Sequence, residues 1–219
     1  MLKFVSVALT NSTRKGQQQV LGALLQSGDL FDVSGFLSSK NQAVGPSSLE
    51  NRQTTMMDLI KGPEKYVKEI NEKVQNGDYK RSEVIKKGSF KVLAPLMPER
   101  NVFCIGKNYK DHVAEINDVN ARTGKGTGEK GKTFDNLVVF TKAPQTCIGP
   151  GEGIENHGNL TKWLDYEVEL AVIIGKKGKN IAIDDAMSHV FGYVMRIGSL
   201  CLEEYCSIRW HNITIHHTY

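Results

Sequence analysis

The most informative stretch of this chain is Leu164-Asp165-Tyr166-Glu167-Val168-Glu169-Leu170-Ala171, which runs directly into Val172-Ile173-Ile174-Gly175. Successive side chains of a β-strand point to opposite faces, so the alternation predicts a strand with Asp165, Glu167 and Glu169 on one face. The apolar run that follows predicts that the strand is buried. Carboxylates in such a position repel each other and lose hydration unless a positive charge offsets them.

Two interpretations of this acidic face stay open on the residues alone. Hard divalent cations prefer oxygen ligands, and Mg²⁺ commonly takes one or two protein carboxylates together with substrate and water. A solvated edge strand whose carboxylates pair with lysines would show the same alternation.

A second group of residues indicates acid–base chemistry. Residues 101–106 predict a short strand that ends on glycine, and a turn and a first helical turn follow it. His112 and Glu115 are three residues apart, so they share one face of that helical turn. A carboxylate beside an imidazole orients the ring and raises its basicity, which suits a general base that activates water. A surface His–Glu pair without a catalytic role is the alternative.

Several short motifs follow one another in a fixed order between residues 98 and 194. They are Cys104-Ile105-Gly106-Lys107-Asn108-Tyr109, His112-x-x-Glu115, Phe140-x-Lys142, Gly149-Pro150 and Asp165-Tyr166-Glu167-Val168-Glu169-Leu170. In this order they resemble the fumarylacetoacetate hydrolase family. Three later motifs most resemble one branch of that family, the type 2 fumarylacetoacetate hydrolase domain-containing proteins. These motifs are Gly175–Lys179, Asp185–Met187 and His189–Tyr193.

The resemblance implies an α+β fold that is mostly β. A small N-terminal β/α domain is expected at residues 1–95, followed at 96–194 by the first half of a mixed β-roll catalytic domain, and residues 195–219 are expected to be a divergent tail. The resemblance also implies that intact members form homodimers.

The chemistry that the resemblance implies depends on a metal ion. Glu167 and Glu169, with a later aspartate, would hold Mg²⁺ (or Mn²⁺ or Ca²⁺), which acts as a Lewis acid on a small 2-oxo or 1,3-diketo acid and stabilises its enolate. His112 and Glu115 would orient a water or carry a proton, and Lys142 would line the site. Carbon–carbon bond hydrolysis, decarboxylation and tautomerisation of oxaloacetate are the candidate reactions, and we favour the last.

The chain departs from the family pattern after Gly192-Tyr193. Gly198 stands about where the resemblance places a third metal-binding aspartate, and the closing segment to Tyr219 is rich in Cys and His. We therefore expect a truncated chain whose tail resembles a shifted reading frame, with weakened metal binding and reduced activity. A non-catalytic protein that pairs with a full-length homologue is the alternative from another functional class.

Composition excludes several other classes. A net charge of +4 over 219 residues is too weak to indicate a nucleic-acid partner, and no apolar run reaches membrane-spanning length. Four cysteines form no dense disulfide framework, so we expect an intracellular protein, mitochondrial or cytoplasmic. The first residues lack acidic side chains until Asp29, as in a transit peptide, but residues 2–8 also have the pattern of a strand, which we favour.

Two further patterns resemble the sequence motifs of known sites but differ from them in structural context or in residue spacing. Residues 126–133 fit the phosphate-binding loop pattern, which requires a strand before it and a helix after it, and neither is predicted. Cys201, Cys206, His211 and His216 recur at five-residue steps, whereas structural zinc sites use closer cysteine pairs. We expect no zinc site, and a P-loop nucleotide binder remains the least favoured alternative function.

The remaining predicted elements complete the outline. They are a strand at 20–25 pairing with 2–8, a loop at 34–53, a helical region at 54–76 broken at Gly62-Pro63, strand-like segments at 84–98, 137–140 and 180–183, and a short helix at 184–190.

Overall fold

The computed structural model describes residues 2–10, 19–41, 54–106, 108–109, 111, 114, 137–156, 158–159, 161–162, 164–201 and 213–216. The chain divides into two compact units, one formed by Met1–Met97 with Thr146–Tyr219 and the other by Pro98–Gln145. The fold is mixed α+β and mostly sheet, as expected. The predicted domain boundaries at 95 and 194 stay predictions.

The first unit begins with a five-stranded sheet in the order β4-β3-β2-β1-β5. Its strands are β1 (Phe4–Leu9), β2 (Gln19–Leu24), β3 (Leu30–Asp32), β4 (Val84–Ile85) and β5 (Phe90–Val92). β1 pairs with β2 in antiparallel register, with Val7 opposite Val20. The predicted pairing of residues 2–8 with 20–25 is therefore confirmed, whereas the strand-like segment 84–98 contains only the two short strands β4 and β5.

A close approach between β2 and β3 requires a glycine. A Cβ placed on Gly22 would lie 2.9 Å from the Cβ of Leu30, which is closer than real Cβ atoms come to a carbon neighbour. Leu30 is fully buried. The sheet therefore packs tightly at this point only because residue 22 has no side chain.

Three helices cover the sheet and complete its core. They are α1 (Val33–Asn41), α2 (Met56–Lys61) and α3 (Glu64–Asn76). The largest fully buried side chains of this core are Phe31, Leu21, Leu59 and Ile70. Each such burial contributes roughly 1.5–3 kcal/mol, so these contacts are the main source of stability for the N-terminal part.

The helical prediction for residues 54–76 is confirmed, including its break. α2 ends at Lys61, before Gly62-Pro63, and α3 starts at Glu64. α3 ends where Gly77 takes a left-handed conformation with φ of 68°, and the Gly77 N–H donates to the Lys73 carbonyl. Glycine adopts this backbone conformation without the steric cost that a side chain adds.

The predicted loop at 34–53 is wrong over its first part, since α1 covers Val33–Asn41. Asp32 starts this helix, because its Oδ1 accepts a hydrogen bond of 2.9 Å from the Gly35 N–H. Phe36 and Leu37 are buried against the core and hold the helix in place. Packing therefore overrides a composition that is typical of loops.

A second sheet of the first unit has the order β8-β11-β10-β9. Its strands are β8 (Cys147–Ile148), β9 (Leu164–Ile174), β10 (Val190–Cys201) and β11 (Ile213–His216). β9 and β10 pair antiparallel over almost their whole length, and Ile173 and Phe191 from this pair pack against the N-terminal core. The pairing continues past residue 194, where the sequence departs from the family pattern.

The link between β9 and β10 contains a predicted helix but not a predicted strand. Residues 180–183, expected to be extended, start instead with Asn180 in a left-handed conformation with φ of 55°. A 3₁₀ helix at Ile183–His189 follows, which confirms a helical turn close to the predicted 184–190. Ile181 and Ile183 alternate as an apolar strand face would, but they are 41% and 92% exposed, so no core contact holds this stretch extended.

The second unit contains the antiparallel pair β6 (Val102–Gly106) and β7 (Val138–Lys142), with Val102 opposite Lys142. Both strands were predicted, although β7 extends two residues further than expected. Across the described ranges, no helix has the length and apolar character that crossing a membrane requires.

Candidate active site

β9 presents two unlike faces, as the alternation predicted. Tyr166, Val168 and Leu170 are 75%, 64% and 55% exposed. Glu167 and Glu169, on the opposite face, are only partly exposed. The two carboxylates therefore share one side of the strand, whereas the side chain of Asp165 lies outside the described part of the structure.

The apolar end of β9 is only half buried, which corrects the prediction that the run 172–174 is buried. Val172 and Ile174 continue the exposed face with 48% and 62% of their surfaces accessible, and Ile173 alone turns towards the core. The strand alternates to its end, so three consecutive apolar residues cannot all point inward.

An arginine pairs with the second glutamate. Arg196 on β10 lies directly opposite Glu169 in the antiparallel ladder. Its Nη2 donates a hydrogen bond to Glu169 Oε2, and the two groups form an ion pair. Arg196 is 3% exposed, so its charge is buried and Glu169 provides its balancing carboxylate.

A glycine lies opposite the first glutamate. Gly198 is the direct partner of Glu167 across the same two strands and is buried. Side chains at directly opposite positions have Cβ atoms about 5 Å apart. An aspartate at position 198, which the resemblance led us to expect, would stand beside Glu167, but glycine supplies no side-chain oxygen there.

Lys142 lies at the end of β7 and is 4% exposed. Its Nζ is 5.9 Å from the centroid of the Phe140 ring, two residues earlier on the same face of the strand. A lysine so well shielded from water is uncommon unless its charge is balanced or used. The ammonium group of Lys142 is therefore a candidate for a functional positive charge.

Some predicted site residues lie outside the described part of the chain. His112 and Glu115 are among them, so the proposed dyad stays a prediction. The glycine- and lysine-rich segment 126–133 and the side chains of Cys201, Cys206, His211 and His216 are also outside it. Within the described residues, no three His, Cys, Asp or Glu side chains come together in a group that could hold a metal ion.

A comparison with protein families matches this part of the chain to a known domain. Residues 101–197 match the model of the fumarylacetoacetate (FAA) hydrolase C-terminal domain, a range that contains β6, β7, β9 and most of β10. Over these residues the chain is similar to the fumarylacetoacetate hydrolase family. Lys142, Glu167, Glu169 and Arg196 all lie inside the matched segment.

The curated and solved relatives agree with the fumarylacetoacetate hydrolase assignment. Oxaloacetate tautomerase YisK of Bacillus subtilis is 39% identical over 131 residues, which cover 59% of this chain and 38% of YisK. Fumarylacetoacetate hydrolase from psychrophilic Exiguobacterium antarcticum is 27% identical with a TM-score of 0.57, over 92% of this chain and 57% of that one. The chain thus spans well under two thirds of the length of either relative.

A third relative shares the fold at low sequence identity. Maleylpyruvate hydrolase from Sphingobium sp. SYK-6, solved with a manganese(II) ion and pyruvate, is 16% identical with a TM-score of 0.61, over 96% of this chain and 65% of that one. Divalent metal is therefore found within this fold, although the likeness extends to the fold alone.

The acidic face of β9 does not fit a divalent ion as it is arranged in this chain. Glu167 and Glu169 offer the oxygen ligands that a hard cation prefers. Glu169, however, is already neutralised by the guanidinium of Arg196, and the position opposite Glu167 is a glycine. Both glutamates and Gly198 were predicted from the sequence, whereas Arg196 was not, because only the register of β10 against β9 pairs it with Glu169.

Proposed function

We propose that this chain is a fumarylacetoacetate hydrolase-family enzyme for a small 2-oxo or 1,3-diketo acid, with the tautomerisation of oxaloacetate as its favoured reaction. The observation that carries the proposal is the 39% identity with an oxaloacetate tautomerase over 131 residues. The family match over residues 101–197 supports the same class of chemistry. Hydrolysis of a carbon–carbon bond and decarboxylation are the other reactions of this class that the assay below distinguishes.

The proposed reaction moves one proton. Enol–keto conversion of oxaloacetate transfers a proton between the oxygen on C2 and the carbon at C3, by way of an enolate. A positioned base that carries the proton and a positive group near the enolate oxygen are the two requirements. We assign the proton to His112, oriented by Glu115, and the positive group to Lys142.

Lys142 suits the second role because of its surroundings. Its exposure of only 4% keeps competing water away from the ammonium group. Electrostatic interactions strengthen where water is excluded, so a buried cation stabilises a developing oxyanion more than a surface cation does.

The metal ion of the original prediction has no part in these steps. Mg²⁺, Mn²⁺ or Ca²⁺ on Glu167 and Glu169 would require Arg196 to leave Glu169, and its guanidinium is buried in contact with that carboxylate. The steps above therefore use only groups of the chain itself.

An enzyme assay tests the proposal directly. The purified chain is mixed with enol oxaloacetate, and the decay of the enol absorbance is compared with the uncatalysed rate, while pyruvate formation reports decarboxylation and an acylpyruvate substrate reports hydrolysis. We expect the chain to accelerate the decay of the enol and His112→Ala to remove this acceleration. Glu99→Ala, which changes an exposed carboxylate outside the proposed site, should leave the acceleration unchanged. A folded sample that accelerates none of the three reactions contradicts the proposal.

A second candidate is a non-catalytic protein that pairs with a full-length homologue or with a second copy of itself. The ion pair between Glu169 and Arg196 and the exposed apolar face of β9 favour it. Co-expression with a full-length family member, followed by size-exclusion chromatography with light scattering, measures the pairing. A stable complex that shows no activity from this chain favours the second candidate, and a monomer with measurable turnover favours the first.

A further inference from the structure

The acidic face of β9 and the facing residues of β10 form one small patch of defined composition. Directly opposite residues of an antiparallel ladder project to the same side of the sheet, as do residues two apart on one strand. Glu167 with Gly198 and Glu169 with Arg196 therefore occupy one face. Among the side chains that the structure describes, this patch contains two carboxylates, one guanidinium and one position without a side chain.

The guanidinium already supplies the positive charge that this patch requires. Two carboxylates two residues apart on a strand repel each other, and a cation between or beside them removes that cost. Arg196 donates from Nη2 to Glu169 Oε2 and is almost completely buried, so its charge is held against Glu169 and away from solvent.

A divalent cation meets two obstacles at the same place. It would approach a fixed positive charge of like sign, and it would compete with that charge for Glu169. Gly198 offers no carboxylate opposite Glu167, so among the side chains that the structure describes on this face no third carboxylate stands beside Glu167 and Glu169. Mg²⁺ binds through carboxylates whose charge is free to offset its own, and of the two described glutamates Glu169 is already paired with Arg196.

We propose that Arg196 replaces a divalent metal ion as the cation of this site, so that the chain holds its acidic face together without Mg²⁺ or Mn²⁺. Metal binding and turnover of oxaloacetate are measured separately, so the result of one measurement does not decide the other.

The test measures Mn²⁺ binding to the full chain by titration calorimetry and by the loss of the free Mn²⁺ electron paramagnetic resonance signal. The wild-type chain is compared with R196A, with R196A/G198D, which restores a third carboxylate on the same face, and with R196K, which keeps the charge. We expect no saturable binding by the wild type or by R196K at millimolar Mn²⁺, and at least about tenfold tighter binding by R196A/G198D than by R196A.

The opposite results overturn the proposal. Saturable Mn²⁺ binding by the wild type that E167Q/E169Q abolishes would show that Arg196 does not exclude the metal. Circular dichroism and a thermal melt check the folding of each variant, and if R196A/G198D does not fold, the comparison of the wild type with E167Q/E169Q decides the matter alone.

Discussion

Glu169 and Arg196 face each other across the β9–β10 ladder, and the arginine Nη2 donates a hydrogen bond to the glutamate Oε2. The arginine side chain is 4% exposed and the glutamate side chain 25%. The pair thus links two strands at a point where neither charge is fully hydrated. Each charge is therefore stabilised by the opposite charge of its partner.

Removal of the arginine alone should destabilise the protein. Arg196→Met leaves Glu169 partly buried without its partner, and breaking a buried pair in this way costs about 3 kcal/mol in the free energy of unfolding. Urea denaturation of Arg196→Met, Glu169→Gln and the double variant measures the coupling between the two side chains. A double-variant cost equal to the sum of the two single costs would show that the pair contributes nothing of its own.

Lys142 should matter for turnover more than for folding. Lys142→Met keeps the length of the aliphatic chain but removes the charge, so we expect a loss of roughly 10²-fold in kcat, the magnitude typical of losing one group that stabilises an oxyanion. Steady-state kinetics and a thermal melt on the same sample separate the two effects. Unchanged kcat would remove Lys142 from the proposed mechanism.

The end of α3 provides a test of backbone conformation. Gly77 has φ of 68°, and within the described residues nothing lies within 4 Å of a Cβ added there. Gly77→Ala should therefore lower the free energy of unfolding by about 1 kcal/mol through backbone strain alone. Gly153→Ala is the matched control, because that position is also open but has no positive φ, and we expect its denaturation midpoint to stay within error of the wild type.

Asp29 should make stability depend on acid pH. The hydrogen bond from the Lys86 Nζ, followed by that from the Lys87 N–H, lowers the pKa of Asp29 below its ordinary 3.8. A lowered folded-state pKa adds stability above the unfolded value, and this stability is lost as the pH falls through the folded value. Lys86→Met should thus melt below the wild type at pH 7, and the difference should shrink below about pH 4.

Melting curves of both proteins from pH 7 to pH 3 check this expectation. Lys91→Met, a change to a lysine on the exposed side of β5, serves as the control for loss of a positive charge. A difference between Lys86→Met and the wild type that stays constant across the whole pH range would contradict the assigned cause.

Sequence patterns correctly predicted the features that are determined by residues close together in the chain. The faces of β9 follow from strict alternation between residues 164 and 171, and the break between α2 and α3 follows from Gly62-Pro63. Both signals lie within a few residues of the feature that they specify, so the sequence alone is sufficient to find them.

Features that depend on distant contacts could not be predicted in this way. α1 lies in a segment rich in Ser and Gly, and it is stabilised by the burial of Phe36 and Leu37 against strands of the sheet. Arg196 meets Glu169 across 27 residues of sequence, and only the register of β10 against β9 shows that they are partners. The role of a charge in a sheet is set by its neighbour across the ladder, which the linear sequence does not display.

An arginine in the chain differs from a bound ion in how it is supplied. The positive charge of Arg196 is present as soon as β10 pairs with β9, and its stoichiometry is fixed at one per chain. Chelators cannot extract it, metal starvation cannot deplete it, and no competing ion can take its position. The acidic face of β9 therefore keeps its balancing charge at any concentration of metal ions in the cell.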